Sequence, residues 1–294
     1  MSPHLSHAVL VLGSDGMLGH RVARMLQSTG IEVITTSRNA VITSQCLPFN
    51  VTQEALDDLL KRLTGQVGLI VNAIGVIKPQ IDENSEDSRL NTLEVNSVFP
   101  HQLALGASKI GAQVIQIATD CVFSGNGGNY VETSPHDATD LYGQSKSMGE
   151  VMNPSMMHLR CSIIGTELAT KRSLWEWVRS QPFGATVRGF RNHLWNGITT
   201  DAFGRLCVGI LKHDLHRSGL HHLVPKNQIS KAQLVEAIAL KSGRRDINIQ
   251  IEDATPSVNR TLATTNPGFN EELWIAAGYD SVPTIEDLIS QYQL

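Results

Sequence analysis

The chain has 294 residues, 41% of them hydrophobic, and a formal net charge of −4. That length can bury a substantial core, in one large domain or two unequal ones. Its Lys and Arg residues are scattered, which excludes a nucleic-acid footprint, and no apolar run approaches the ~20 residues of a membrane span. Nothing at the N-terminus resembles a signal peptide. Cys46, Cys121, Cys161 and Cys207 show no paired or metal-binding spacing, so reduced thiols in a cytoplasmic protein are expected. His216, His221 and His222 lack carboxylate or cysteine partners at ligand spacing, and no metal site is expected.

Residues 8–12 form a short apolar run that reads as a buried strand, followed at once by Gly13, Gly16 and Gly19. A helical pattern through Met17, Leu18, Val22 and Leu26 ends at Gly30, a residue suited to a helix C-cap. Strand, glycine turn and helix form the context of a dinucleotide fingerprint. One glycine makes the turn, one lets backbone approach a pyrophosphate, and one permits close packing. The helix N-terminus then offers amides and partial positive charge. The glycines are spaced three and three, a variant of the usual pattern, and a ligand-free turn would show the same residues. The turn supplies Gly13, Asp15, Gly16, Met17, Leu18 and Gly19 as cofactor candidates.

A second strand is expected at 31–36, with Glu32 at its start and Ser37 and Arg38 at its end. An NAD site places an acid at that end, whereas an NADP site offers arginine to the extra phosphate. Ser37 and Arg38, with Arg24 as a neighbour, therefore favour NADPH, with NADH also compatible; the bland alternative is a solvated Arg38. Asn50 and Val51 follow a strand-like stretch and are adenine-side candidates. Further strands are expected at 67–74, 113–118 and 157–164, with helical patterns between most of them. This alternation argues for an α/β fold, a Rossmann-type doubly wound parallel sheet. Gly13, Ser37, Ala73, Thr119 and Ile164 then share the rim beyond the strand C-termini, where such sheets bind ligands. Residues 82–89 are acidic and poor in apolar side chains, and read as a surface loop.

Tyr142 and Lys146 are four apart, hence one turn apart on one helical face. A lysine cation beside a tyrosine stabilises the phenolate and brings its pKa toward the working range. Such a pair can give a proton to a carbonyl or take one from an alcohol. The same spacing also occurs as a surface pair. Thr119 ends a strand with its hydroxyl free to join them, or to satisfy backbone. Beyond residue 165 the pattern loosens. Helices are expected around Leu174, Trp175 and Val178, from Thr200 to Leu211, from the Ser230–Gln233 capping box to Lys241, and over 284–292, with a strand at 247–251. Residues 1–165 thus read as the dinucleotide-binding domain and 166–294 as a smaller substrate-binding lobe, some segments of which return to the sheet.

Together these motifs resemble an extended short-chain dehydrogenase/reductase, and within it the dTDP-4-dehydrorhamnose reductase group of nucleotide-sugar reductases. Asn72, Ala73, Ile74 and Gly75 after a strand, Asn96 on the next helix, and the run from Ala118 to Gly125 carry the resemblance. It is strong over 8–165 and weaker beyond. It implies NADPH-dependent reduction of a nucleotide-activated 4-keto-6-deoxy sugar. Thr119, Tyr142 and Lys146 would be catalytic, Lys146 also holding the nicotinamide ribose. Asn72, Ala73, Ile74, Gly75 and Asn96 join the cofactor candidates, and because the group often dimerises a homodimer is one of the states left open. Cys121 stands where the group usually has tyrosine, which leaves the sugar open. Asp120, Cys121, Arg188, Arg191, Trp195 and Arg260 are substrate-side candidates, the arginines because guanidinium forks bind phosphate. An epimerase or dehydratase on the same fold is the alternative enzyme, although Asp120-Cys121 lacks the acidic pair usual in dehydratases. A non-catalytic NADP-binding regulatory subunit is the alternative outside enzymes.

Overall fold

The computed structural model describes residues 7–38, 43, 45–168 and 171–294. Among these, a seven-stranded parallel sheet runs in the order β11-β6-β5-β4-β1-β2-β3. Its strands are β1 (Ala8–Leu12), β2 (Val33–Ser37), β3 (Cys46–Pro48), β4 (Val67–Asn72), β5 (Gln113–Ala118), β6 (Met156–Arg160) and β11 (Gly219–His222). β1 and β4 are buried at every position, as strands covered on both faces must be, which is why they read as unbroken apolar runs. On one face α2 (Leu56–Arg62) and α4 (Phe99–Ile110) pack a core of Leu60, Phe99 and Leu103 against Leu10 and Ile70. On the other, α1 (Gly19–Ser28), α7 (Thr200–His213) and α9 (Pro267–Ala276) pack Val22, Phe203 and Trp274 against Val9 and Val71.

α7, β11 and α9 come from the second half of the chain, so that half completes both the sheet and one covering layer. The remaining C-terminal elements build a second cluster. α6 (Leu174–Arg179), α8 (Lys231–Lys241) and α10 (Ile285–Ser290) enclose Trp175, Leu234 and Ile285. Small sheets flank it: β8 (Thr186–Phe190) with β13 (Asn248–Glu252), β7 (Ile163–Ile164) with β10 (Ile198–Thr199), and β12 (Ile229–Ser230), β9 (His193–Trp195) and β14 (Val258–Asn259) in that order.

Two expectations need correction. The strand expected over 157–164 is two strands, and β7 leaves the main sheet to pair with β10. The loop expected over 82–89 is half helical, because α3 spans Glu86–Leu93. Ser85 caps it by accepting from the Ser88 amide, and Glu86 and Asp87 in the first turn suit the positive end of the helix dipole. Those acids signalled a helix start rather than a loop.

Candidate active site

At the end of β1 the chain reverses through Gly13, whose φ of +81° favours glycine. A Cβ there would lie 2.9 Å from Ile74 Cγ1, and one at Gly19 would lie 2.2 Å from the Gly13 carbonyl oxygen. Packing therefore accounts for Gly13 and Gly19. It does not account for Gly16, where a Cβ would meet only Gly13 O at 3.4 Å, an ordinary contact. The open space beside Gly16 is what a phosphate approaching the backbone requires. α1 begins after Leu18 with no side-chain cap and no acid in its first turn, so although the His20 amide donates to Gly16 O at 3.3 Å, the positive end of its dipole is left to an anion. Met17 lies in the same turn, and Leu18 is buried, so only its backbone can serve.

At the end of β2, Ser37 donates to the Asp15 carboxylate. An acid therefore does stand at this end, delivered by the glycine turn rather than by β2. Arg38 beside it is exposed. Arg24 lies elsewhere, in a cleft with Arg21, Asp201 and Arg205. Asn50 spends its carbonyl on the Thr52 amide and hydroxyl at 3.3 and 3.2 Å, and the neighbouring Val51 is partly buried.

Asn72 and Asn96 are braces. Asn72 is buried, donates to Gln116 Oε1 at 2.7 Å and accepts from the Ile74 amide at 3.0 Å, which shapes the turn through Ala73. Asn96 accepts from the Val76 amide at 2.9 Å and donates to Val76 O at 2.9 Å and Ser145 Oγ at 3.1 Å. It ties the loop after Gly75 to α5 (Leu141–Met148), the helix of Tyr142 and Lys146.

Two glycines seat α5. A Cβ at Gly143 would lie 2.3 Å from Cys121 O, and one at Gly149 would lie 2.0 Å from Asn96 O. Asp140 caps the helix by accepting from the Gly143 amide at 2.8 Å. Seated this way, the Tyr142 phenol lies within reach of the Thr119 side chain, which acts to lower its pKa. Thr119 also donates to Asp120 Oδ1 at 3.3 Å and accepts from the Cys121 amide at 3.2 Å. Burial, then the Cys121 thiol, pushes the Tyr142 phenol up, so it is protonated at neutral pH. Lys146 donates to Ile117 O at 3.2 Å, and burial draws its ammonium down to about 8. Cys121, Thr119, Asp120 and Asp140 act on the Tyr142 phenol. Burial also raises Asp120, against the charges of Arg260 and Lys231, and pushes the Cys121 thiol up to about 12.

On the substrate side, Arg260 follows β14 and donates from Nε to Phe123 O at 2.7 Å, which fixes it beside the Thr119–Phe123 turn. Trp195 is buried and donates to Ser162 Oγ at 2.8 Å. Arg188 and Arg191 are not brought here. Both are exposed and pair with acids of the β13 edge, Arg188 with Glu252 at 3.5 Å and Arg191 with Asp253 at 2.8 Å. Sequence reading missed Lys231, whose charge acts on Asp120 and Cys121. The available signal was the Ser230–Gln233 capping box, which sets Lys231 in the first turn of α8 directly after a strand. No group of His, Cys, Asp and Glu among the described residues could hold a metal ion, and no helix among them is long and apolar enough to cross a membrane.

The model of the RmlD substrate binding domain matches residues 7–173, which include the glycine turn, Thr119, Tyr142 and Lys146. The chain belongs to this family. It is 30% identical over 152 residues to the dTDP-4-dehydrorhamnose reductase of Streptomyces griseus, covering 51% of this chain and 46% of the reductase. The chain thus spans about half the length of the curated reductases it matches. It is 26% identical over 247 residues to subunit beta of methionine adenosyltransferase 2 from Danio rerio, covering 79% of this chain and 72% of that one. Among solved structures, a dTDP-4-dehydrorhamnose reductase of Bacillus anthracis in complex with NADP superposes with a TM-score of 0.74 at 15% identity. That match covers 97% of this chain and 98% of the other, and it is a likeness of fold.

Proposed function

We propose that this protein is an NADPH-dependent reductase of a nucleotide-activated 4-keto-6-deoxy sugar. The observation that carries the reading is the Tyr142 phenol, kept protonated by burial and set beside Thr119 at the rim of the sheet. A reductase needs a proton donor at the carbonyl oxygen, and a neutral phenol beside a hydroxyl supplies one. Gly16 and the uncapped start of α1 fit a dinucleotide pyrophosphate, and NADP in the Bacillus anthracis neighbour supports the choice of cofactor. When bound, the cofactor supplies the hydride. Lys146, held by Ile117 O, would contact the ribose and carry charge toward Tyr142 once the site fills. Substrate class rests on the reductases among the relatives. A panel of nucleotide-linked 4-keto sugars with NADPH, followed at 340 nm, tests the reading; oxidation with none of them counts against it.

A second reading has its own support. The relative named as subunit beta of methionine adenosyltransferase 2 aligns over more of this chain than the reductase does. A regulatory subunit would bind NADPH without turning over, and would co-purify with a catalytic partner.

A further inference from the structure

Lys231 is the cation that the proposed chemistry leaves unused. The three-stranded sheet β12-β9-β14 delivers three side chains to one place. Trp195 ends β9, Lys231 follows β12 and Arg260 follows β14, with Ile229 opposite Trp195 and Asn259 opposite Leu194. This end abuts the turn that carries Thr119. The Asn259 amide donates to Gly125 O at 2.7 Å, and Arg260 is fixed by Phe123 O. The Lys231 ammonium lies 5.7 Å from the centre of the Trp195 ring, and no hydrogen bond to it is made among the described residues. Its surroundings therefore hold two cations, Lys231 and Arg260, against one acid, Asp120. An ammonium packed near a tryptophan ring with a second cation beside it favours an arriving anion, which can accept a charge-assisted hydrogen bond from it.

We propose that Lys231, backed by Arg260, receives an anionic oxygen of the substrate beside the turn that carries Thr119. This deepens the nucleotide-sugar reading and rests on it. Two sources carry such an oxygen: the diphosphate, and a carboxylate on the sugar itself.

Calorimetric titration with dTDP, UDP, UDP-glucose and UDP-glucuronate separates them, run on the full chain with and without NADP+. Lys231→Met and Lys231→Gln should weaken binding at least about tenfold, as loss of a charged hydrogen bond does, and Lys231→Arg should retain it. If the diphosphate is read, both variants lose affinity for dTDP and UDP alike. If a carboxylate is read, the unmodified protein prefers UDP-glucuronate to UDP-glucose and the variants lose that preference. Unchanged affinity for all four in folded variants overturns the inference, as does failure of the unmodified protein to bind any of them. NADP+ binding is scored separately. Lys231-dependent nucleotide binding by a protein with no affinity for NADP+ would uphold the inference and sink the reductase reading.

Discussion

Gly16 and Gly19 are three residues apart in one turn, yet the structure gives them opposite reasons for lacking a side chain. At Gly19 a Cβ would sit 2.2 Å from the Gly13 carbonyl oxygen, so Gly19→Ala must push backbone aside. Overpacking of this kind costs about 1–3 kcal/mol. At ~2.1 cal/mol/K per residue, each kcal/mol moves Tm by about 1.6 °C in a chain of 294 residues, so a loss of roughly 2–5 °C is expected. At Gly16 the nearest atom to a Cβ is 3.4 Å away and φ is not in the left-handed region. Gly16→Ala should leave Tm unchanged or raise it slightly, since alanine restricts the unfolded chain by about 0.4–1 kcal/mol. Its methyl would project where the pyrophosphate must approach, and NADPH affinity should fall at least about tenfold, with Gly16→Val lower still. Differential scanning fluorimetry reads the first quantity and fluorescence titration of NADPH the second. Equal loss of Tm in the two alanine variants, or full NADPH affinity in Gly16→Val, would refute the assignment.

Arg38→Ala should remove most of an about tenfold or greater preference for NADPH over NADH, about 1.5–3 kcal/mol for one charged hydrogen bond; equal affinities in the unmodified protein would remove the basis for NADPH. Tyr142→Phe should bind NADPH almost normally yet reduce a keto sugar about 10²–10⁴-fold more slowly, and an unchanged kcat would eliminate Tyr142 as the acid. Burial pushes the Glu132 carboxyl up, but hydrogen bonds from Thr264 and Thr265 outweigh it and hold it at about 2, below its ordinary 4.5. Its contribution is thus complete above pH 4.5 and lost as pH falls toward 2. Glu132→Gln should flatten that part of the acid-unfolding curve, by about 1 kcal/mol once solvent screening of this half-exposed group is allowed for; an unaltered curve would show the bonds to be idle.

Much of the rim was legible because backbone needs leave marks in sequence. Gly13 and Gly19 are glycines for steric reasons, and Thr119 and Tyr142 converge because β5 and α5 have strong local patterns. Side-chain hydrogen bonding leaves no such mark. Asn72 and Asn96 stood where cofactor contacts were expected, and their amides proved to be committed to Gln116, Val76 and Ser145. Arg188 and Arg191 lie elsewhere for a related reason. The last residue of β13, Glu252, and Asp253 just after it engage them, and the pairing of residues 62 or more apart is set by the fold. Lys231 escaped because a lysine at a helix start looks like a solvated one until the neighbouring strands are placed.

The return of the chain to its first half sets a rule for recombining this family. Arg160 at the end of β6 is fully buried, bonding Glu150 at 2.7 Å, His136 at 2.8 Å and His222 of β11 at 2.9 Å. A hybrid made by joining residues 1–165 to the tail of a relative would swap β11 and α7 away from the partners they evolved with. It would then leave the Arg160 guanidinium facing a foreign strand and the flank of α1 facing a foreign helix. If the tail were omitted altogether, β6 would become a bare edge open to other chains. A workable exchange of specificity keeps residues 200–223 and 267–277 with the cofactor half and grafts only the segments between and beyond them.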